Sequence, residues 1–99
     1  MAAGLLLEFE GVTQKDNETV NQKLGIDMKT GKGDWPAGMR NHTAGLSGDG
    51  VLIVTEVWDS EAHQERFMEQ RLGPALQEAG LPAPTRMLWL EVLAHHQPS

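Results

Sequence analysis

The sequence predicts an α+β chain in which two helices cover one face of a four-stranded antiparallel sheet, and three observations predict it. Apolar stretches with twofold alternation recur at residues 4–10, 39–46, 51–57 and 85–93. Helix-capping residues, Thr13 in one case and Asp59-Ser60 in the other, open the segments that separate the first two stretches and the last two. Between the second and third stretches stands only Ser47-Gly48-Asp49-Gly50, a hairpin signal.

Residues 4–10 (GLLLEFE) form the first expected strand, with Leu5, Leu7 and Phe9 on one face and Leu6, Glu8 and Glu10 on the other. Thr13 then caps a helix over residues 14–24, with Asp16 as a weaker form of the capping box and Gly25 as its C-terminal stop. Its apolar face is thin: Asn17, Val20, Asn21 and Leu24 share one side, so tertiary packing or a polar pocket must hold it. Residues 25–38 carry Gly31, Gly33, Pro36, Gly38 and a single large aromatic, Trp35, with no periodicity. They are expected to be a loop, either a lid over a site or a connection whose Trp35 plugs the core edge.

The hairpin that follows allows two tight turns. A two-residue Gly48-Asp49 turn pairs Leu46 with Val51, His42 with Thr55 and Arg40 with Val57; an Asp49-Gly50 turn keeps the same parity. Either way Arg40, His42 and Ala44 are expected on the face of Val51, Ile53, Thr55 and Val57, and Asn41 and Thr43 on that of Glu56 and Trp58. The second helix starts at Asp59 or Ser60 with Glu61 in its first turn, where a carboxylate complements the helix dipole. It is expected to run to Leu72 or Gly73, to break or kink at Gly73-Pro74, and to continue as a short piece to Gly80. After the Leu81-Pro82-Ala83-Pro84 linker, residues 85–93 form the last strand, with Met87, Trp89 and Glu91 opposite Leu88, Leu90 and Val92, followed by a frayed tail from His95.

Strand, helix, two-stranded hairpin, helix, strand is the βαββαβ order of the ferredoxin-like fold, with the first and third strands central. Those two strands are apolar on both faces, through Leu5-Leu6-Leu7 and Val51-Leu52-Ile53-Val54, yet the helices shield only one. Leaving several such side chains in water would forgo roughly 1.5–3 kcal/mol each, so a homodimer packed sheet to sheet is expected.

Composition narrows the partners. A chain of 99 residues fits one domain, residues 1–99, and buries about 65% of its unfolded surface without a metal or disulfide staple. There is no cysteine, which excludes thiolate chemistry and thiolate metal sites. The net charge is −6 and the basic residues are scattered singly, so no nucleic-acid partner is expected. The first apolar run is too short for a signal peptide or membrane span, and a cytoplasmic protein with no membrane partner is expected. His42, His63, His95 and His96 show no ligand spacing, so no metal and no other cofactor is expected.

His42 is the candidate catalytic residue, since a neutral imidazole can take a proton from an acidic phenol or enol; its alternative is a hydrogen-bonded core or interface histidine. Arg40 is a candidate for a substrate oxyanion or for an ion pair at a dimer interface. Glu56 beside Trp58 could serve as acid or base, although near the strand end it could reach solvent, and Trp58 is most simply a core plug under the second helix. His63 and Phe67, one helical turn apart, could line one pocket wall, the equal alternative being a partly exposed surface histidine. A pocket of about 300 Å3 or more is expected between Trp35, His42 and Phe67. The substrate-binding candidates are thus Trp35, Arg40, Trp58, His63 and Phe67.

The run VLIVTEVWDSEAHQERFMEQRLGPAL resembles the strand-turn-helix of small dimeric α/β-barrel proteins related to the antibiotic biosynthesis monooxygenases, with Trp58, Ser60 and Phe67 in the fitting positions. With Trp35-Pro36-Ala37-Gly38 and His42-Thr43-Ala44-Gly45, the chain is similar to uncharacterised actinobacterial members of that superfamily. The resemblance implies a dimeric α/β barrel that binds a small aromatic or polyketide-like molecule. Its activity would be cofactor-independent monooxygenation, or, on the alternative reading, it would be a non-catalytic binding or stress-response dimer. For members that degrade haem, the resemblance implies an Asn on the first strand and a His on the second helix. Here residues 4–10 hold no Asn and Met68 stands at the helix position, which speaks against haem breakdown.

Overall fold

In the computed structural model, residues 2–94 are described. Strands β1 (Ala3–Phe9), β4 (Met39–Leu46), β5 (Leu52–Trp58) and β6 (Arg86–Glu91) form one antiparallel sheet in the order β4-β5-β1-β6. The first and third of these strands are central, as the sequence predicts. Helix α1 (Gln14–Leu24) and the helical run α2 (Glu61–Phe67), a wide turn (Met68–Leu72) and α3 (Gly73–Glu78) follow β1 and β5. The tail from His95 lies outside the described residues.

Alternation determines which face is buried. Leu5, Leu7 and Phe9 of β1 and Leu52, Val54 and Trp58 of β5 join Val20 and Leu24 of α1 and Phe67, Ala75 and Leu76 of the second helical run in one core. Helix α1 has the bounds its caps predict: Thr13 Oγ1 accepts from the Asp16 amide at 3.1 Å, the Asp16 carboxylate accepts from the Thr13 amide at 3.0 Å, and Gly25 ends the helix at φ +75°.

Two expectations are corrected in the middle of the chain. Residues 25–38 are not structureless: Ile26–Asp27 (β2) and Lys32–Gly33 (β3) pair as a small ribbon. Asp27 closes its turn by accepting from the Lys29 amide at 2.9 Å. Gly33 is required there, because at φ +124° a Cβ would lie 2.2 Å from the Gly25 carbonyl oxygen.

The second correction is the hairpin register. The observed pairs are Leu46 with Leu52, Ala44 with Val54 and His42 with Glu56, one residue away from either two-residue turn. The Ser47 amide donates to Val51 O at 2.9 Å, leaving a three-residue loop whose last member, Gly50, has φ +83°. Glycine in that left-handed region suits a three-residue hairpin loop, and a one-residue slip moves every side chain of the strand to the other face. His42 and Ala44 therefore lie with Glu56 and Val54 under the helices, whereas Asn41 and Thr43 lie with Val57 and Thr55 on the open face. A bulge between Met39 and Asn41 takes Arg40 out of the alternation.

The helical run widens at Gly73-Pro74 instead of breaking. The Gly73 amide donates to Met68 O, five residues back, in the π-type turn Met68–Leu72, just before Pro74 withdraws the next donor. Among the described residues no helix is long and apolar enough to cross a membrane.

Hydrogen bonds hold the Asp27 carboxyl below its ordinary value of 3.8, the Thr30 hydroxyl first and the Lys29 amide next. A folded value below the unfolded one stabilises the turn above the unfolded pKa and is lost as pH falls through the folded one. Protection of the Lys29 and Thr30 amides, measured against their intrinsic exchange rates, is therefore expected to fall only below about pH 3.8.

Candidate functional site

The corrected register creates a polar chain inside the apolar layer. Glu56 and Trp58 stand two apart on β5 and so share a face, and both are buried, at 5% and 0% exposure. Trp58 Nε1 donates to Glu56 Oε1 at 3.0 Å, and His42 Nδ1, across the hairpin, lies 2.9 Å from Oε2. An ionised carboxylate only accepts, so opposite a charged Glu56 it is Nδ1 that carries a proton, and in the neutral imidazole the lone pair is then on Nε2. Phe67 backs this chain, its ring centroid 5.7 Å from that of Trp58.

His42 and Glu56 line a cavity under the Trp35 ring, whose centroid is 5.9 Å from that of His42. The sheet contributes Leu7, Phe9 and Val54, the second helical run Phe67 and Leu76, and α1 presents Asn17 and Asn21, the two polar members of its thin face. The cavity sits where the sequence places it, bounded by Trp35, His42 and Phe67, but it measures about 50 Å3. That is room for a few waters, well below the roughly 300 Å3 at which small-molecule pockets begin.

The remaining candidates are elsewhere. Trp58 is not on the cavity wall; it is the core plug under the second helix and the donor behind Glu56. Arg40 pairs with Asp59 of its own chain at 2.5 Å on the surface. His63 Nδ1 lies 2.7 Å from Ser60 Oγ at the start of α2 and faces Gly38, where any Cβ would sit 2.5 Å from the imidazole. It borders a separate groove with Pro36 and Arg66, not the cavity of His42. Among the described residues no three His, Cys, Asp or Glu side chains are grouped to hold a metal ion.

Two further side chains escaped the sequence. Gln64 of α2 is 1% exposed and its Nε2 has no hydrogen-bond partner among the described residues. Arg71 donates from Nη2 to Leu24 O at 2.9 Å and to Asp34 O at 2.6 Å. The signal for Arg71 was its place one helical turn after Phe67, over whose ring its guanidinium lies at 5.4 Å.

No family model matches the sequence, and no curated protein matches it. Solved structures do match the fold. A protein from Chloroflexus aurantiacus J-10-fl named for antibiotic biosynthesis monooxygenase activity superposes with a TM-score of 0.66 at 12% identity, covering 98% of each chain. The Rv0793 protein of Mycobacterium tuberculosis gives 0.65 at 15% identity, covering 98% of this chain and all of that one, at 100%. The NE2512 protein of Nitrosomonas europaea, of unknown function, gives 0.64 at 18% identity, covering 99% of this chain and 93% of that one. The chain thus has the same ferredoxin-like α+β fold as these three proteins, over nearly its whole length.

Proposed function

We propose that this protein binds a small, largely apolar aromatic or polyketide-like molecule in the cavity under Trp35 and oxidises it without a cofactor, with His42 as general base. The observation that carries this reading is the His42–Glu56–Trp58 chain, a histidine oriented by a buried carboxylate at the wall of an otherwise apolar cavity. Nε2 of His42 would take a proton from an activated CH2 of a phenolic ketone. The resulting carbanion reduces O2, and the CH2 leaves as C=O with one H2O formed, so no external reductant enters. Asn17 and Asn21 would face the ligand's oxygen substituents from α1, and the apolar walls would keep water from the carbanion.

The small cavity supports a second reading, a non-catalytic binding dimer whose His42–Glu56 pair is structural. Oxygen uptake on a panel of anthrone-type phenols separates the two. Uptake by wild type with product carbonyl formation is expected on the first reading, and binding without uptake on the second.

A homodimer belongs to either reading. Leu6, Ile53, Val57, Leu88 and Leu90 share the sheet face that carries no helix, Leu88 and Leu90 being 42% and 51% exposed. A second copy laid sheet to sheet would cover them. Light scattering at micromolar concentration is expected to give a dimeric mass, and Leu6→Lys, at the centre of that face, a monomeric one; a monomeric wild type would refute the assembly.

A further inference from the structure

We propose that Arg71 is the latch that holds the Trp35 segment closed over the His42 cavity, so that its release sets the rate at which a ligand enters; this rests on the small-molecule reading above. A cavity of about 50 Å3 admits no aromatic ring, so one wall must move. The sheet is the firmer wall: its central strands β1 and β5 are paired on both sides, and the edge strand β4, which carries Met39 and His42, is paired with β5 from Met39 to Leu46. Helix α1 is capped at both ends, and the second helical run is continuous from Glu61 to Glu78. The wall that remains is the segment between α1 and β4, which carries Trp35.

That segment is lightly tied. The Trp35 indole donates to Gly31 O at 3.0 Å, within the segment itself. Asp27 accepts from Lys29 and Thr30, also within it. The Asp34 amide donates to Gly25 O and the Met39 amide to Pro36 O, at its junctions with α1 and β4. Among the described residues, two further polar ties reach other elements: the Asp59 amide donates to Gly38 O at 2.7 Å, at the β4 end, and Arg71 holds the middle. Its Nη2 lies 2.6 Å from Asp34 O and 3.3 Å from Asp34 Oδ2, one residue before Trp35, and the same nitrogen reaches Leu24 O at the end of α1.

The ion pair with Asp34 contributes little, since that carboxylate is largely exposed. The charge-assisted bonds to two carbonyls, on a guanidinium held over Phe67, supply the hold. Phe67 itself lines the cavity, so the latch joins two of its walls. Ile26 anchors the other end of the segment in the core, while Trp35 is half-buried against that core and Pro36 beside it is buried, so opening means lifting both from α2 once Arg71 lets go. A groove of about 150 Å3, lined by Pro36, Ala37, His63, Phe67 and Arg71, runs along the seam where the segment would part from α2.

The test compares Arg71→Met, which keeps the apolar stem over Phe67 but removes the donors, with Arg71→Lys, which keeps the charge without the planar fork. In the full chain, Arg71→Met is expected to speed amide exchange in residues 26–37 by about tenfold or more, with β1 and β5 unchanged and Arg71→Lys in between. Stopped-flow binding of 2-naphthol is expected to show an on-rate raised by a similar factor. Unchanged exchange in residues 26–37, or equal acceleration throughout the chain, would overturn the latch. Local acceleration with an unchanged on-rate would overturn its control of entry. Failure of wild type and both variants to bind 2-naphthol would overturn the small-molecule reading and with it the gating role, while the exchange data still decide the latch.

Discussion

Trp58→Ala is expected to lower folding stability by about 3–5 kcal/mol, the range for removing a large aromatic from a core. Trp58 is fully buried, packs on Phe67, and donates the hydrogen bond that satisfies one oxygen of the buried Glu56 carboxylate. The substitution therefore opens a cavity and strips a buried acceptor of its donor at once. Against a net stability of about 5–15 kcal/mol, such a loss shifts the urea midpoint strongly or leaves the chain unfolded. Trp58→Phe separates the two contributions: the ring volume is largely kept, and the cost expected from leaving Glu56 Oε1 unpaired is about 1–3 kcal/mol. A Trp58→Phe variant as stable as wild type would show that Glu56 draws no stability from the indole.

The second large effect is on turnover. His42→Ala is expected to slow oxidation of an anthrone-type phenol by about 10²–10⁴-fold, the range for losing a positioned general base. The loss should fall on kcat more than on KM, because the proton moves only in the transition state. Glu56→Gln keeps the shape but replaces an oxygen that accepts from Nδ1 with an amide that can donate to it, so it is expected to slow turnover by misorienting the imidazole or reversing its tautomer. A His42→Ala protein that oxidises substrate at the wild-type rate removes His42 from the mechanism and leaves the binding-dimer reading in place. Circular dichroism on the same samples shows whether a fall in rate reflects lost chemistry or lost fold, since His42→Ala also deprives Glu56 of a partner.

Local signals read the architecture well where they are chemically specific. Thr13, Asp16 and Gly25 bound α1 because a side-chain cap and a left-handed glycine act within one or two turns of chain. Alternation placed Leu5, Leu7 and Phe9 on one face, which the structure buries, and set Glu56 beside Trp58, since the two-residue period needs no knowledge of the partner strand. The thin face of α1 left tertiary packing or a polar pocket to hold the helix, and Asn17 and Asn21 do line the cavity. The hairpin was less legible. Ser47-Gly48-Asp49-Gly50 suits a two-residue or a three-residue loop, and that single residue decides which face His42 occupies. His63 stands one turn before Phe67 on the same helix, yet it lies against Gly38 and borders a different groove.

From its own order of residues, then, the chain determined the four strands of its main sheet, the helices between them and which two strands are central. Only the tertiary structure decided what His42 faces. Its partner Glu56 lies 14 residues away across a turn whose length had to be seen, and the carboxylate is held in place by an indole on the same strand. The same is true of Arg71, whose partners Asp34 and Leu24 are 37 and 47 residues distant. Caps and alternation are short-range and leave a mark in the sequence. Hydrogen bonds between elements depend on register and on how helices sit on a sheet, and no local pattern records either.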